Sequence, residues 1–274
     1  MTIEELSKEI KADYKEVRAR WIQYTPKYQR QLLKNNRYPY MWETQVKTKR
    51  QNIWFINHYA ESKKDASISK PQLFCPFQYT NGTWIAHIID GHDVLLLFPA
   101  HFITRYKERL LELNLKANPY SSKDVISVFF LRNKIGIIRS EAENMLRGYC
   151  EDGMCLGEWE SNSVALIKTF ISRKEMKMNQ FVEYYEAMTY RLVSDMFLAR
   201  KGHSLISVEE IDNLPDSYFD TKEWESFLFA RGNRLWIDLI TECETIKRNN
   251  LKEYEKISAM LEIISDNRIP PKSQ

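Results

Sequence analysis

The sequence predicts an α+β fold, in which a central mixed domain lies between an N-terminal helical arm and a C-terminal helical region. Two observations carry this prediction. Short runs rich in aromatic and β-branched residues fill most of residues 52–98, and the hairpin-turn pairs Asn81-Gly82 and Asp90-Gly91 separate them. Helical periodicity dominates the first 50 residues and most of the chain after residue 172. Strands and helices segregated in this way are typical of the α+β class.

The central domain is expected over residues 51–172, with an antiparallel sheet and two helices. Its first four strands have the sequences NIWFINHYA, QLFCPFQYT, TWIAHII and DVLLLF. Two helices follow, at about residues 100–114 and 122–134, and strands resume in RGYCE, MCLGEWE and SNSVALIKTFIS, with Asp152-Gly153 and Ser161-Asn162 as turn signals between them. Residues 1–50 form the predicted basic helical arm, and residues 173–274 form the predicted helical region.

The composition excludes several classes of function. The chain has 274 residues, a formal net charge of +3 and only 8 glycines. It contains no Gly-rich phosphate-binding loop, no HExxH, no GxSxG and no kinase signature, so no cofactor is expected. No apolar run approaches the roughly 18 residues of a membrane span, and no signal-peptide pattern begins the chain. A cytoplasmic protein without membrane partners is therefore expected.

A metal site is not expected. His87, His92 and His101 lie close in sequence to Asp90 and Asp93, but they match no ligand spacing typical of a metal centre. The predicted turn between two strands accounts for both aspartates.

Residues 17–50 combine positive charge with aromatic rings. Glu43 is the only acidic residue there, against nine basic residues: Arg18, Arg20, Lys27, Arg30, Lys34, Arg37, Lys47, Lys49 and Arg50. Six aromatic residues are interleaved with them: Trp21, Tyr24, Tyr28, Tyr38, Tyr40 and Trp42. Basic groups neutralise phosphates and exposed rings stack on unpaired bases, so this pattern predicts binding of single-stranded or structured RNA. The alternative is an amphipathic arm whose rings pack inward and whose charges are solvated.

The helix after DVLLLF carries the clearest indication of chemistry. The spacing of His101, Arg105, Glu108 and Arg109 places all four side chains along one helix face. Metal-free RNA cleavage needs a base for the 2′-hydroxyl, positive charge for the phosphorane and an acid for the leaving oxygen. Histidine can serve as acid or base, arginines can hold phosphate oxygens, and Glu108 can act as a base or orient an arginine. The alternative is a solvated helix face with ion pairs.

The strand VALIKTFIS offers a further candidate. Regular alternation places Thr169 on the same face as Ala165, Ile167 and Ile171. The Thr169 hydroxyl would reach a bound phosphate if the helix lay across that face. The alternative is that threonine is present because it forms strands well.

The order of these elements resembles the metal-independent RNases of the RelE/colicin/barnase-like class, which includes toxins with a His-x3-Arg pattern. The shared features are an apolar strand, the helix HFITRYKER, a second helix, a hairpin and the late strand VALIKTFIS, over about residues 83–172. The resemblance implies a toxin-like endoribonuclease that cleaves through attack of the 2′-hydroxyl. Its implied active-site residues are His101, Arg105, Glu108, Arg109 and Thr169.

Two other functions stay open. The same basic features would suit a non-catalytic protein that binds nucleic acid or an acidic protein. The helices after residue 172 contain several methionines, which suit either a core or a partner surface: Met176, Met178, Met188, Met196 and Met260. A partner at that surface would be a neutralising protein or a second copy of the chain, which would make an oligomeric assembly.

Overall fold

A computed structural model describes residues 2–66, 71–80, 82–89, 94–111, 125–139, 144–202, 210 and 213–266. The chain divides into two compact units. The first comprises Met1–Ser172 and Arg231–Asn233, and the second comprises Arg173–Ala230 and Arg234–Gln274. The first unit mixes strands and helices and the second is helical, so the predicted α+β class is confirmed.

Among the described residues, a nine-stranded mixed sheet runs through the first unit in the order β1-β2-β3-β4-β5-β9-β8-β7-β6. The strands are β1 (Tyr40–Lys47), β2 (Ile53–Ala60), β3 (Gln72–Tyr79), β4 (Gly82–Ile89), β5 (Val94–Phe98), β6 (Gly136–Arg139), β7 (Met145–Cys150), β8 (Gly153–Ser161) and β9 (Val164–Ser172). Neighbouring strands are antiparallel, except that β5 and β9 pair in parallel.

Helices cover both faces of this sheet. Helix α1 (Ile3–Lys34) packs Leu6, Ile10 and other apolar residues against one face, in a cluster that includes Leu95 and Leu97 of β5. Helices α3 (Ala100–Leu111) and α4 (Val125–Arg132) pack on the opposite face, in a cluster that includes Leu96. A short helix, α2 (Lys63–Ala66), follows β2. Successive residues of a strand point to opposite faces, so the sheet separates α1 from α3 and α4.

Two strands were not predicted from the sequence. Residues 40–47, assigned there to the helical arm, form β1, in which Trp42, Thr44 and Val46 are covered while the residues between them are exposed. That period of two is the pattern of a strand with one covered face, and it was masked by the surrounding positive charge. The predicted boundary at residue 50 therefore falls in the turn between β1 and β2. The four-residue strand β6 lies at the other edge of the sheet.

The second unit is built from α5 (Met178–Lys201), most of α6 (Thr221–Arg231), α7 (Arg234–Asn249) and α8 (Leu251–Asp266). Helix α5 ends at Gly202, whose φ of +81° is the left-handed conformation that favours glycine after a helix. Met188 and Met196 are buried, whereas Met260 is exposed. In the part of the chain that the structure describes, no helix has both the length and the apolar character to cross a membrane.

Candidate nucleic-acid interface and the predicted catalytic helix

From Arg18 onward, helix α1 presents a basic outer surface, because most of its apolar residues pack against the sheet. The helix begins with a capping box, in which the Thr2 hydroxyl accepts from the Glu5 amide and the Glu5 carboxylate accepts from the Thr2 amide. Leu6, Ile10 and Val17 are buried against the sheet. All nine predicted nucleic-acid-binding residues of segment 17–50 are exposed.

The aromatic residues of this segment pack inward. The Tyr28 ring is only 4% exposed and lies 4.1 Å from the His58 ring, and the two side chains share a 2.7 Å hydrogen bond between the hydroxyl and Nδ1. Trp21 and Trp42 lie 5.9 Å apart, and Trp42 lies 5.5 Å from Tyr28. These rings join α1 to β1 and β2. The aromatic rings are therefore placed as the alternative interpretation of this segment expected, packed inward and not open for base stacking.

Asp13 of α1 holds the turn between β1 and β2. Its buried carboxylate accepts hydrogen bonds from the Thr48 hydroxyl at 3.0 Å, from Asn52 Nδ2 at 2.7 Å and from Arg50 Nη1 at 3.2 Å. The Lys49 amide donates to Glu16 at 3.2 Å. Because both carboxylates lie on α1, the tip of the β1–β2 hairpin is fixed to the flank of this helix.

The fixed hairpin tip creates a shallow basic groove of about 480 Å³. We define the basic groove by the four basic residues of its lining, Lys15, Arg20, Lys49 and Arg50, which outnumber its one acidic residue, Glu16. Lys15 was not singled out from the sequence. A neighbouring groove of about 410 Å³ is lined by Glu9 and by no lysine or arginine among the described residues, so positive charge is localised.

A basic stripe continues from this groove toward the end of α1. Arg20, Lys27, Arg30 and Lys34 are spaced by seven, three and four residues, which places them on one helix flank. Arg18 lies two residues before Arg20 and therefore on a different flank. The other predicted residues, Arg37 and Lys47, are exposed outside both the groove and the stripe.

The predicted catalytic face lies on α3. His101, Arg105 and Glu108 are exposed, and Arg105 lies 3.7 Å from Glu108 with more than half of each side chain in solvent. An exposed pair of this kind contributes about 0–1 kcal/mol to stability. Arg109 is half-buried at the edge of this face, with its Nη1 atom shielded from solvent.

His101 is oriented by a backbone carbonyl. Its Nε2 atom lies 2.7 Å from the carbonyl oxygen of Lys168, and since a carbonyl only accepts, Nε2 must carry a proton. The neutral ring therefore has its lone pair on Nδ1. That arrangement fixes the tautomer and leaves Nδ1 as the atom that can take up a proton.

Thr169 does not join this face. Gly157 pairs with Ile167 and Leu156 pairs with Thr169, so Lys168 is an extra residue in β9 and forms a β-bulge. The bulge reverses the alternation: Phe170 lies in the same cluster as Ala165 and Ile167, on the α3 side of the sheet. Thr169 therefore points to the opposite face, and its predicted placement beside the helix is wrong. The sequence did not predict this bulge, because the strand pattern of β9 is uninterrupted.

The structure also separates the two predicted functional regions of the first unit. The basic groove and stripe belong to α1 on one face of the sheet, whereas His101 and Arg105 belong to α3 on the other. The groove and the α3 face therefore cannot act as two parts of one compact RNA site.

A buried polar network lies under α3 and was missed. Asp152 accepts from the Tyr106 hydroxyl at 2.6 Å, from Arg132 Nε at 2.9 Å and from Asn133 Nδ2 at 2.9 Å, and its amide donates to Asn133 at 2.9 Å. Burial opposes ionisation of Asp152, but the charge of Arg132 and the hydrogen bonds outweigh it and lower the pKa of the carboxyl. The only sequence signal was Asp152-Gly153, read as a turn. The network joins α3, α4 and the β7–β8 hairpin.

His87 is a core residue. Its Nδ1 atom bonds the Leu73 carbonyl at 2.9 Å, and burial lowers the pKa of the imidazole to about 4 despite that bond. Asp90, His92 and Asp93, considered with it as metal ligands, lie outside the described residues. Within the described residues, no group of three histidine, cysteine or acidic side chains is arranged to hold a metal ion.

Comparisons with known proteins do not assign the chain to a family. No protein-family model, no curated protein and no solved structure matches the chain. The resemblance to metal-independent RNases therefore rests on the short motifs of residues 83–172.

Proposed function

We propose that the first unit binds nucleic acid through its phosphate backbone, at the basic groove and the basic stripe of α1. The observation that carries this proposal is the hairpin tip, which Asp13 and Glu16 fix so that Lys49 and Arg50 stand beside Arg20. A helix with no hairpin packed beside it would have no second element to bring further basic residues next to its own. Fixed basic groups lose less conformational entropy on binding than mobile ones.

The expected binding is electrostatic and depends strongly on salt. Each phosphate neutralised by lysine or arginine releases condensed counterions, so the logarithm of affinity falls linearly with the logarithm of salt concentration. Phosphate contacts carry no sequence information. The protein is therefore expected to bind many sequences with similar affinity.

The test is fluorescence anisotropy with a labelled RNA hairpin that presents both a duplex stem and a single-stranded loop. The variant R20Q/K27Q/K34Q removes three charges of the stripe, and the matched control R248Q/K252Q/K256Q removes three exposed charges from α7 and α8. We expect wild type and control to bind alike, while the stripe variant binds at least tenfold more weakly at 100 mM salt. Equal affinity of all three proteins, or no binding by wild type, would overturn the proposal.

A second candidate function is metal-independent endoribonuclease activity on the α3 face, and the orientation of His101 favours it. In this reaction Nδ1 of His101 takes the proton of a 2′-hydroxyl, and the 2′-oxygen attacks the adjacent phosphorus. The bond to the 5′-oxygen breaks, that oxygen takes up a proton from water, and a 2′,3′-cyclic phosphate remains. Arg105, exposed on the same helix face, can stabilise the phosphorane, and the half-buried Arg109 lies at the edge of that face.

This candidate is tested by incubating labelled mixed-sequence RNA with the protein in EDTA. His101→Gln retains a donor for the Lys168 carbonyl but has no ring nitrogen that can accept a proton, and Lys107→Gln is an exposed control on the same helix. Activity is expected in wild type and control and lost in H101Q. Cleavage that needs added magnesium, or that survives in H101Q, would contradict it.

A further inference from the structure

We infer that the ligand of the basic groove and stripe is a double-stranded nucleic acid, held by its two phosphate backbones and not by its bases. This inference rests on the proposed function and narrows its ligand. RNA and DNA duplexes present the same phosphate chemistry, so separate experiments distinguish them.

The first argument is the placement of the aromatic rings. Proteins that prefer single strands stack bases on exposed rings, at about 1–3 kcal/mol for each base. Here Trp21, Tyr28 and Trp42 pack against one another and against His58 of β2. The basic stripe itself contains only arginine and lysine, and the groove lining adds Ala12, Glu16, Ala19 and Gln23. Among the described residues the groove lining contains no aromatic ring, and Tyr24, which borders the stripe between Arg20 and Lys27, is half-buried against the cluster under α1.

The second argument is the length of the charged surface. From Arg20 to Lys34 the stripe extends about 21 Å, at about 1.5 Å per helical residue. Over that length a duplex presents about 12 phosphates, twice the number on one extended strand, because duplex charge repeats every ~1.7 Å. The electrostatic attraction to this row of arginine and lysine side chains is stronger for the ligand with more phosphates per unit length, which is the duplex.

The third argument is that the charged surface is ordered before the ligand binds. Asp13 accepts from Thr48, Arg50 and Asn52, and it is fully buried. A preformed surface suits a stiff duplex, whereas a flexible single strand would lose conformational entropy on lying along it.

The experiment measures affinity for four 24-nucleotide ligands: duplex RNA, duplex DNA, and single-stranded oligouridine and oligothymidine. At 100 mM salt we expect at least one duplex to bind tenfold or more tightly than its single strand. That difference exceeds the twofold expected if affinity rose only with the number of strands. Two unrelated sequences of that duplex should bind within threefold of each other. In R20Q/K27Q/K34Q the salt slope for the duplex should fall by about 2 to 3, and in R248Q/K252Q/K256Q it should stay unchanged.

The outcomes separate the two proposals. Tighter binding of either single strand overturns the duplex inference and leaves nucleic-acid binding standing, and so does a strong sequence preference. Failure of all four ligands and of the RNA hairpin overturns both. Preference for only one duplex supports the inference and identifies the helical form that is bound.

Discussion

The Tyr106 hydroxyl on α3 donates a 2.6 Å hydrogen bond to Asp152, which lies in the turn between β7 and β8. Both groups are buried, and Arg132 at the end of α4 forms an ion pair with the same carboxylate. One carboxylate therefore fixes two helices and a hairpin on the α3 side of the sheet, just as Asp13 fixes a hairpin on the α1 side.

Replacement of Asp152 by alanine should strongly destabilise the first unit. The change leaves the Arg132 charge and the Tyr106 hydroxyl without their partner in a buried site, which typically costs about 3–5 kcal/mol. Urea unfolding gives the free energy, and Glu160→Ala on the exposed side of β8 is the control. A loss below 1 kcal/mol in D152A would show that the network contributes little.

The same carboxylate should contribute to acid sensitivity. The pKa of Asp152 is lower in the folded protein than in the unfolded chain, so its stabilisation is present above the unfolded value of about 4. It is lost as pH falls below that value through the folded pKa. Unfolding measured between pH 5 and 2.5 should therefore depend less steeply on pH in D152N than in wild type. Parallel curves would contradict this expectation.

Protonation of His87 in the unfolded chain should destabilise the folded protein between pH 7 and pH 5. Its pKa is about 4 when folded and about 6.5 when unfolded, so below pH 6.5 the unfolded chain binds a proton that the folded protein excludes. Stability should fall by about 2 kcal/mol between pH 7 and pH 5 from this group alone. Hydrogen exchange of β3 and β4 amides reports the change, and His87→Asn should remove most of it.

Gly157→Ala should disturb the bulge that orients His101. A Cβ atom at this position would lie 2.1 Å from the Leu166 carbonyl oxygen, so the paired strands must shift, at a cost of about 1–3 kcal/mol. Gly136→Ala is the matched control, since the nearest atom to its Cβ lies 4.0 Å away. Nitrogen NMR of His101 should show the Nε2-protonated tautomer in wild type and in G136A. A mixture of tautomers is expected in G157A, and an unchanged spectrum there would disprove the role of the bulge.

Asp13→Ala should loosen the basic groove without unfolding the sheet. Thr48 and Asn52 lose their shared acceptor, which costs about 1–3 kcal/mol. Exchange of the Gln51 amide, which donates to the Thr48 carbonyl at 2.9 Å, should accelerate, while amides in β7 and β8 keep their rates. Glu9→Ala, an exposed substitution on the same helix, should change neither. Faster exchange across the whole sheet would mean that Asp13 supports the fold generally.

The sequence predicted the elements whose local pattern agrees with their burial. Strand β5 is an apolar run buried on both faces, and Asp152-Gly153 forms the predicted turn between paired strands. Strand β1 was missed because its alternation of Trp42, Thr44 and Val46 lies within a segment whose positive charge also fits a basic arm. The bulge at Lys168 depends on pairing with β8, and the Asp152 network joins residues distant in sequence, so neither leaves a local pattern. The sequence predicted that the residues of the α3 face share one helix flank, but it did not predict that α1 and α3 lie on opposite faces of the sheet.

The parallel pair β5–β9 has a consequence for how the chain reaches its native state. Strands β1–β5 and β6–β9 are two meanders whose neighbours follow one another in sequence, and within the described part of the sheet the pairing of Leu95–Leu97 with Val164–Leu166 joins them. Local hairpins close quickly, whereas this seam requires closure of a long loop and is expected to form late. Until then, two largely apolar strands that end at the centre of the sheet present open edges, which are templates for aggregation. The strands at the centre of the finished sheet are therefore the part of the unfinished chain most prone to aggregation.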